Sequence, residues 1–250
     1  MSYAQININQ NTLKYIFPYL KNKYLFNYLK IDNDSIHYIS HKNISAKISS
    51  IIENHLSKYN INKKNAIITD CTAGVGGDSI CLAQNFKFVY SIELNKTRYD
   101  YLNNNLSVYG IKNTKTYNKD FINIVPYINN HDIIFIDPPW GGSQYKSVNK
   151  IKIKISNVND IEDICDEFLF SSKMKKNPLF IALKLPKNYD IHYLYTRLDK
   201  CNIYLYELDK MFIIIIEKKI NNKLDKFINI FIKNILEYGI NETKYILHNT

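Results

Sequence analysis

The chain has 250 residues, a length that suits one large α/β domain with flanking helices and is short for two independent domains. Its composition, 46% hydrophobic and 22% charged, excludes a disordered chain. The formal net charge of +10, from 33 basic and 23 acidic residues, favours a polyanionic partner such as RNA or DNA, although a lysine-rich surface without such a partner has the same charge. Because only Arg98 and Arg197 are arginines, phosphate contacts would come from lysine point charges and not from bidentate guanidinium groups.

The first 60 residues are predicted to form an N-terminal helical extension. Apolar side chains recur at helical spacing at Leu13, Ile16, Phe17 and Leu20, and a second apolar stripe lies within 44–56. We expect these helices to help cover a ligand site in the following domain.

From residue 66 the pattern changes to short apolar runs that alternate with helices. Seven strands are predicted, at 66–69, 88–92, 114–118, 133–136, 179–183, 203–208 and 212–217. This alternation predicts a doubly wound α/β fold with a mostly parallel sheet, and the two-residue link at 209–210 predicts a C-terminal antiparallel hairpin. We assign the core to 61–220, and a C-terminal helix near 222–238 and a polar tail to 221–250.

A glycine-rich turn at 70–78 follows the first predicted strand, and acidic residues follow the next two. The glycines let a ligand approach the backbone, and ligands of such sheets bind beyond the carboxyl ends of the strands. Glu93 can accept from both ribose hydroxyls of an adenosyl group, Asp120 can accept from adenine N6, and Phe121 can cover the ring. Each acid alone could be a loop cap, but three at successive strand ends predict an adenosyl site.

The stretch Asp-Pro-Pro-Trp-Gly-Gly at 137–142 ends the fourth predicted strand. Its prolines fix the backbone and remove two N–H donors, so Asp137 and the Pro138 carbonyl can accept from the N–H groups of an amine nucleophile. Trp140 offers a face on which a base can stack, especially a cationic base. The alternative is a proline-rich turn with a core tryptophan. We favour methyl transfer from S-adenosylmethionine to an exocyclic nucleobase amine, which mainly requires in-line positioning.

These residues resemble the trimethylguanosine synthases, which methylate N2 of a 7-methylguanosine RNA cap. The resemblance covers about 24–218 and is most specific at Pro-Pro-Trp-Gly-Gly (138–142) with Tyr145 downstream; it includes the turn at 74–77 and Leu-Pro-Lys-Asn at 185–188. It implies a class I, Rossmann-like methyltransferase fold, S-adenosylmethionine as cofactor and capped RNA as partner. The product would be a dimethylguanosine cap, a trimethylguanosine cap or both.

The resemblance also implies roles for individual residues. Trp140 would stack on the methylated guanine beside Tyr145, Asn105 would hydrogen-bond the edge of the base, and Lys187 would face the cap phosphates. The alternative for Asn105 is a polar residue in the last turn of a helix, and Lys146 or Lys184 could replace Lys187 at the phosphates. Asp137, Pro138 and Trp140 are the expected catalytic residues. The expected cofactor-binding residues are Asp70, Thr72, Ala73, Gly74, Glu93, Asp120, Phe121 and Asp137.

The chain departs from the family at three points. Asp137 stands where the family commonly has Ser, and Lys187 replaces an Arg. The aromatic residue of the family's N-terminal extension, which closes over the cofactor, has no clear match here, and Tyr38 is our candidate for it. Two alternatives stay open. An N6-adenine methyltransferase acting on DNA or RNA is favoured by Asp137 and disfavoured by Trp-Gly-Gly at 140–142. A non-catalytic cap-binding module would keep the fold without turnover.

Neither the cysteines nor the N-terminus indicates secretion or a metal. The four cysteines lack CxxC spacing and a neighbouring histidine cluster, so we expect reduced thiols and no metal. The N-terminus lacks the pattern of a signal peptide, and the longest apolar run, 211–216, is too short to span a membrane. We expect a monomer with no membrane partner, located in the cytoplasm or nucleus. The abundance of Ile, Asn, Lys and Tyr implies an AT-rich genome, and if that genome is viral, we expect the protein in a virus factory.

Overall fold

The computed structural model describes residues 8–155 and 159–219. This part of the chain divides into two compact units, the first ending at Ile134 and the second beginning at Phe135. The helix predicted near 222–238 lies outside the described residues, and the domain boundaries near 60 and 220 stay predictions.

Helices and strands alternate through the described ranges. The α-helices are α1 (Gln10–Ile16), α2 (Ser35–Tyr38), α3 (Lys42–Leu56), α4 (Gly77–Asn85), α5 (Lys96–Val108), α6 (Phe121–Ile124), α7 (Ile161–Phe170) and α8 (Ile191–Arg197). Short 3₁₀ helices occupy Lys23–Tyr28, Ser57–Tyr59, Lys63–Asn65, Val125–Tyr127 and Gly142–Ser147. The strands are β1 (Ile67–Asp70), β2 (Phe88–Ile92), β3 (Thr114–Tyr117), β4 (Ile133–Ile136), β5 (Lys154–Ile155), β6 (Asn159–Asp160), β7 (Phe180–Pro186), β8 (Cys201–Leu208) and β9 (Met211–Lys218).

Seven of the described strands form one sheet in the order β3-β2-β1-β4-β7-β9-β8. β2 pairs in parallel with β1 and β3, whereas β9 is antiparallel to both β7 and β8. β4 and β7 are buried along their whole length, as expected for strands covered on both faces. The predicted doubly wound sheet with its C-terminal hairpin is confirmed, and the seven predicted strands correspond to these seven.

The N-terminal extension is helical but broken into short pieces. α1 ends at Ile16 because Phe17 precedes Pro18, which disfavours helical backbone at the residue before it; Phe17 is extended. Its apolar side chains, with those of the following 3₁₀ helix, form a buried cluster with residues of the glycine-rich turn, α4 and α5. The cluster comprises Leu13, Ile16, Phe17, Leu20, Phe26, Leu29, Ile31, Ala73, Val75, Ile80, Leu102 and Leu106. None of the helices in the described ranges is long and apolar enough to cross a membrane.

Candidate active site

The glycine-rich turn between β1 and α4 combines an open position with two packed ones. Gly74 and Gly76 have left-handed backbone, with φ of 53° and 101°. A Cβ on Gly74 would meet no atom within 4 Å, whereas one on Gly76 would lie 3.1 Å from Leu102 Cδ1 and one on Gly77 would lie 2.6 Å from Ile39 Cγ1. Gly76 and Gly77 are therefore closely packed against neighbouring side chains, whereas Gly74 leaves open space where a ligand can approach the backbone.

Glu93 lies directly after β2 and contacts this turn. Its Oε2 accepts from the Gly74 N–H at 2.8 Å, and its Oε1 accepts from the Asn95 N–H at 2.7 Å. Burial raises the pKa of Glu93, and the hydrogen bonds from Asn95 and Gly74 oppose that rise. A carboxylate offers about four acceptor positions, so ribose hydroxyls can bind in addition to both backbone groups. The neighbouring Leu94, which no sequence pattern had indicated, is 68% exposed and offers apolar surface for an adenine ring.

Asp120 and Phe121 follow β3, and the structure links their loop to that of Glu93. Asn118 Nδ2 donates to the carbonyls of Glu93 and Leu94 at 2.9 Å each. Asp120 caps α6, since its Oδ1 accepts from a backbone N–H at 3.0 Å. Phe121 is 7% exposed, so little of its side chain is accessible to a ligand. The capping role of Asp120 leaves acceptor positions for an adenine amine.

Asp70 supports the turn from inside. It is buried, its Oδ1 accepts from the Thr72 N–H at 3.3 Å, and its Oδ2 accepts from Ser79 Oγ at 2.5 Å. Ala73 is buried as well, and its N–H donates to the Ile92 carbonyl at 2.9 Å. Of these residues, Thr72 is half-buried and retains surface near Gly74. Asp70 and Ala73 therefore help to shape the turn, and their expected contacts with the cofactor stay a prediction. Ser79, which no local pattern had indicated, also holds the turn through Asp70.

The expected contact between Asn105 and a base edge does not fit this structure. Asn105 is completely buried; its Nδ2 donates to the carbonyls of Lys30 and Val75, and its Oδ1 accepts from the Lys30 N–H, each at 2.8 Å. A base cannot reach this side chain without breaking those bonds. Asn105 instead joins the N-terminal extension to the glycine-rich turn, which corrects the predicted role.

In the second unit, the turn after β4 contains a buried ion pair. Lys184 Nζ on β7 lies 2.5 Å from Asp137 Oδ2; the Lys184 side chain is 2% exposed and that of Asp137 is 19% exposed. Lys184 is thus too buried to serve phosphates, and that alternative is wrong. The ion pair neutralises the charge by which Asp137 differs from the family's usual Ser.

Trp140 is held on the same turn by a hydrogen bond and an aromatic contact. Its indole N–H donates to the Lys184 carbonyl at 3.3 Å, and its ring meets the Tyr145 ring edge-on at 5.3 Å between centroids. Lys184 Nζ lies 5.6 Å from the Trp140 ring centroid. Trp140 is half-buried, and part of its side chain stays accessible to a base. Gly141 and Gly142 have φ of 91° and 71°, which explains why glycines end the motif.

In the Leu-Pro-Lys-Asn stretch at 185–188, Asn188 holds a neighbouring segment and Lys187 forms an exposed ion pair. Asn188 Nδ2 donates to the carbonyls of Tyr145 and Val148 at 2.7 Å each, so it holds the segment that follows Trp140. Lys187 Nζ lies 2.5 Å from Glu207 Oε1, with both side chains exposed. An exposed pair of this kind stabilises a protein by about 0–1 kcal/mol, so a phosphate can displace the carboxylate.

A sequence model of the RNA cap guanine-N2 methyltransferases matches residues 65–242. The chain belongs to this family. It is an S-adenosylmethionine-dependent methyltransferase, and the residues of the first unit fit that cofactor, because Gly74 leaves open space beside a carboxylate with acceptor positions to spare.

The chain is also similar to individual proteins and to solved structures. A protein of Acanthamoeba polyphaga mimivirus is 33% identical over 208 residues, covering 76% of this chain and 79% of that protein. A trimethylguanosine synthase of Schizosaccharomyces pombe is 27% identical over 131 residues, covering 50% of this chain and 52% of that protein. A solved structure of a proposed methyltransferase from Porphyromonas gingivalis has a TM-score of 0.51 at 16% identity, covering 78% of this chain and 44% of that one, which shows the fold alone.

Proposed function

We propose that this methyltransferase adds methyl groups to the exocyclic N2 of a 7-methylguanosine RNA cap, forming a dimethylguanosine cap, a trimethylguanosine cap or both. The observation that carries the proposal is the turn after β4, where Trp140 is fixed by Lys184 and Tyr145 next to the acceptor Asp137. Family membership supports the same reaction. A monomer located in the cytoplasm, nucleus or a virus factory stays our prediction.

The residues of this turn suit an amine nucleophile. Asp137 and the Pro138 carbonyl accept from the N–H groups of the amine, which aligns the nitrogen lone pair. The ion pair with Lys184 holds one carboxylate oxygen, so the orientation of Asp137 is set before substrate binds. When bound, S-adenosylmethionine supplies an electrophilic methyl group. Positioning of this kind is worth about 7–11 kcal/mol, so no strong base is needed and the amine loses its proton late, to Asp137 or water.

Trp140 provides selectivity for a methylated cap. An indole face attracts a cation through its ring quadrupole, and 7-methylguanine is cationic whereas guanine is neutral. Stacking contributes about 1–3 kcal/mol per base, with more for a cationic one. The phosphates of the cap would meet Lys187, which would exchange its contact with Glu207 for the ligand.

The N6-adenine alternative was motivated by the charge of Asp137. Lys184 Nζ lies 2.5 Å from Asp137 Oδ2 and offsets that charge, which weakens the alternative. It still predicts a distinct product, namely methylated adenine in uncapped nucleic acid.

The decisive experiment is incubation of the purified protein with S-adenosylmethionine and 7-methylguanosine diphosphate, followed by mass analysis. We expect a gain of one or two methyl groups on this substrate and none on guanosine diphosphate. Equal rates on the two substrates would contradict selection by Trp140. Methylation of adenine in uncapped RNA or DNA would support the alternative enzyme, and binding of both ligands without turnover would indicate a cap-binding module.

A further inference from the structure

The N-terminal extension presents a surface of exposed tyrosines and lysines. Tyr15, Tyr19, Tyr24 and Tyr28 are 55%, 71%, 78% and 64% exposed, although tyrosine rings are usually at least partly covered. The surface, called here the Tyr/Lys surface, consists of Tyr15, Tyr19, Lys21, Lys23, Tyr24 and Tyr28. The chain contains no Asp or Glu before Asp32, so the lysines of this stretch have no acidic neighbours in sequence.

The Tyr/Lys surface rests on a well-packed base. The apolar side chains between its tyrosines are buried in the cluster that includes Ala73 and Val75 of the glycine-rich turn. Polar side chains of α5 and the residue after it also hold its backbone: Asn104 Nδ2 donates to the Tyr28 carbonyl at 2.7 Å, and Tyr109 Oη donates to the Pro18 carbonyl at 2.6 Å. The backbone that carries the exposed rings is therefore held in place before any partner binds, which lowers the entropy cost of binding.

We propose that the Tyr/Lys surface binds single-stranded RNA, namely the nucleotides that follow the cap. Exposed aromatic rings stack on unpaired bases without strong sequence preference, and interspersed lysines contact the phosphates. Charge complementarity selects a polyanion, and the exposed rings select one with unstacked bases, which excludes a fully paired duplex. The identity of the 5′ end rests on the proposed function, whereas RNA binding itself does not.

This surface belongs to the same compact unit as the cofactor-binding turn. Lys30, which follows the last tyrosine of the surface, is hydrogen-bonded to Asn105, and Asn105 also contacts the Val75 carbonyl of that turn. RNA bound here adds to the affinity that the cap itself provides. We therefore expect a lower KM for a capped oligonucleotide than for 7-methylguanosine diphosphate.

The test compares binding of three labelled probes to the full chain by fluorescence anisotropy: uncapped single-stranded RNA, an abasic phosphodiester of equal length, and duplex RNA. The variant Tyr24→Ala/Tyr28→Ala should weaken RNA binding roughly fivefold or more, the effect of removing one stacked base, and should leave the abasic probe unaffected. Tyr127→Ala removes a similarly exposed tyrosine, 67% exposed, and serves as the control.

Lysines are tested through salt dependence. Lys21→Gln/Lys23→Gln should reduce the slope of log affinity against log salt by about 0.7 for each phosphate that the variant no longer neutralises, whereas Lys173→Gln/Lys175→Gln in the second unit should not. Unchanged RNA binding by both double variants of the surface would overturn the proposal. An equal weakening of RNA and abasic-probe binding would show that the tyrosines do not stack. The proposed function fails separately, through absence of methyl transfer to any cap while RNA binding persists.

Discussion

The ion pair between Asp137 and Lys184 predicts that Asp137→Asn destabilises the protein as well as slowing the reaction. Asn keeps the size of the side chain but removes the anion opposite a lysine that is 2% exposed. Removing one partner of a buried ion pair costs about 3–5 kcal/mol. Because the Asp137 side chain keeps 19% exposure and water can reach the site, we expect the lower end, about 3 kcal/mol. That is a large share of the roughly 5–15 kcal/mol by which a domain of this kind is stable.

Lys184→Met separates the charge pair from side-chain packing. Met is similar to Lys in length and apolar, and Asp137 is then left near solvent, so this variant should lose less stability than Asp137→Asn. The double variant Asp137→Asn/Lys184→Met contains neither charge and should be more stable than Asp137→Asn alone. The pairwise coupling measured by this cycle should reach about 2 kcal/mol, within the range for directly contacting residues.

Urea unfolding followed by circular dichroism measures the four proteins of the cycle. A shift of the midpoint at constant slope reports stability, whereas a change of slope would mean altered compactness. The folded double variant, assayed at saturating cap, should still have a low kcat because it lacks the carboxylate. Additive effects within about 0.5 kcal/mol would refute the ion pair as a stabilising contact. An unchanged kcat would show that the reaction does not need the Asp137 carboxylate, because the Asn side chain still has an acceptor oxygen.

Three further predictions concern individual ligand contacts. Glu93→Ala should weaken cofactor binding in calorimetry and leave cap affinity unchanged. Because burial raises the pKa of Glu93, acidification should lower the cofactor affinity of the wild type already above pH 4.5, the ordinary pKa of a glutamate. A pH-independent affinity would contradict the ribose contact. Trp140→Ala should lower affinity for the 7-methylguanosine cap by roughly tenfold to a few hundredfold and also lower kcat at saturating cap, whereas harmless substitution would mean that the base stacks elsewhere. Lys187→Ala should weaken cap binding and reduce its salt dependence. In the control, Glu207→Gln, Lys187 loses its ion pair and cap binding should become stronger. If Lys187→Ala leaves the salt slope unaltered, another lysine contacts the phosphates.

Local sequence determined most of the architecture and the location of the site. Apolar runs and their spacing indicate the seven strands of the sheet because side-chain periodicity follows backbone geometry within a few residues. The effect of glycine is local as well. The turn beginning at Gly74 and the turn ending at Gly142 have left-handed backbone, which glycine adopts without strain. The exception was α1, where the proline at position 18 ended a helix whose apolar periodicity continued.

Tertiary structure alone decided what the polar side chains of the site contact. Asp137 meets Lys184 47 residues away, and Asn105 meets Lys30 75 residues away; these contacts changed one predicted ligand residue into a structural one and one predicted phosphate lysine into a charge partner. No local pattern indicates such pairs, since a buried polar group takes whichever partner the packed elements bring within reach. A polar group without a partner costs free energy only where the folded chain excludes water from it.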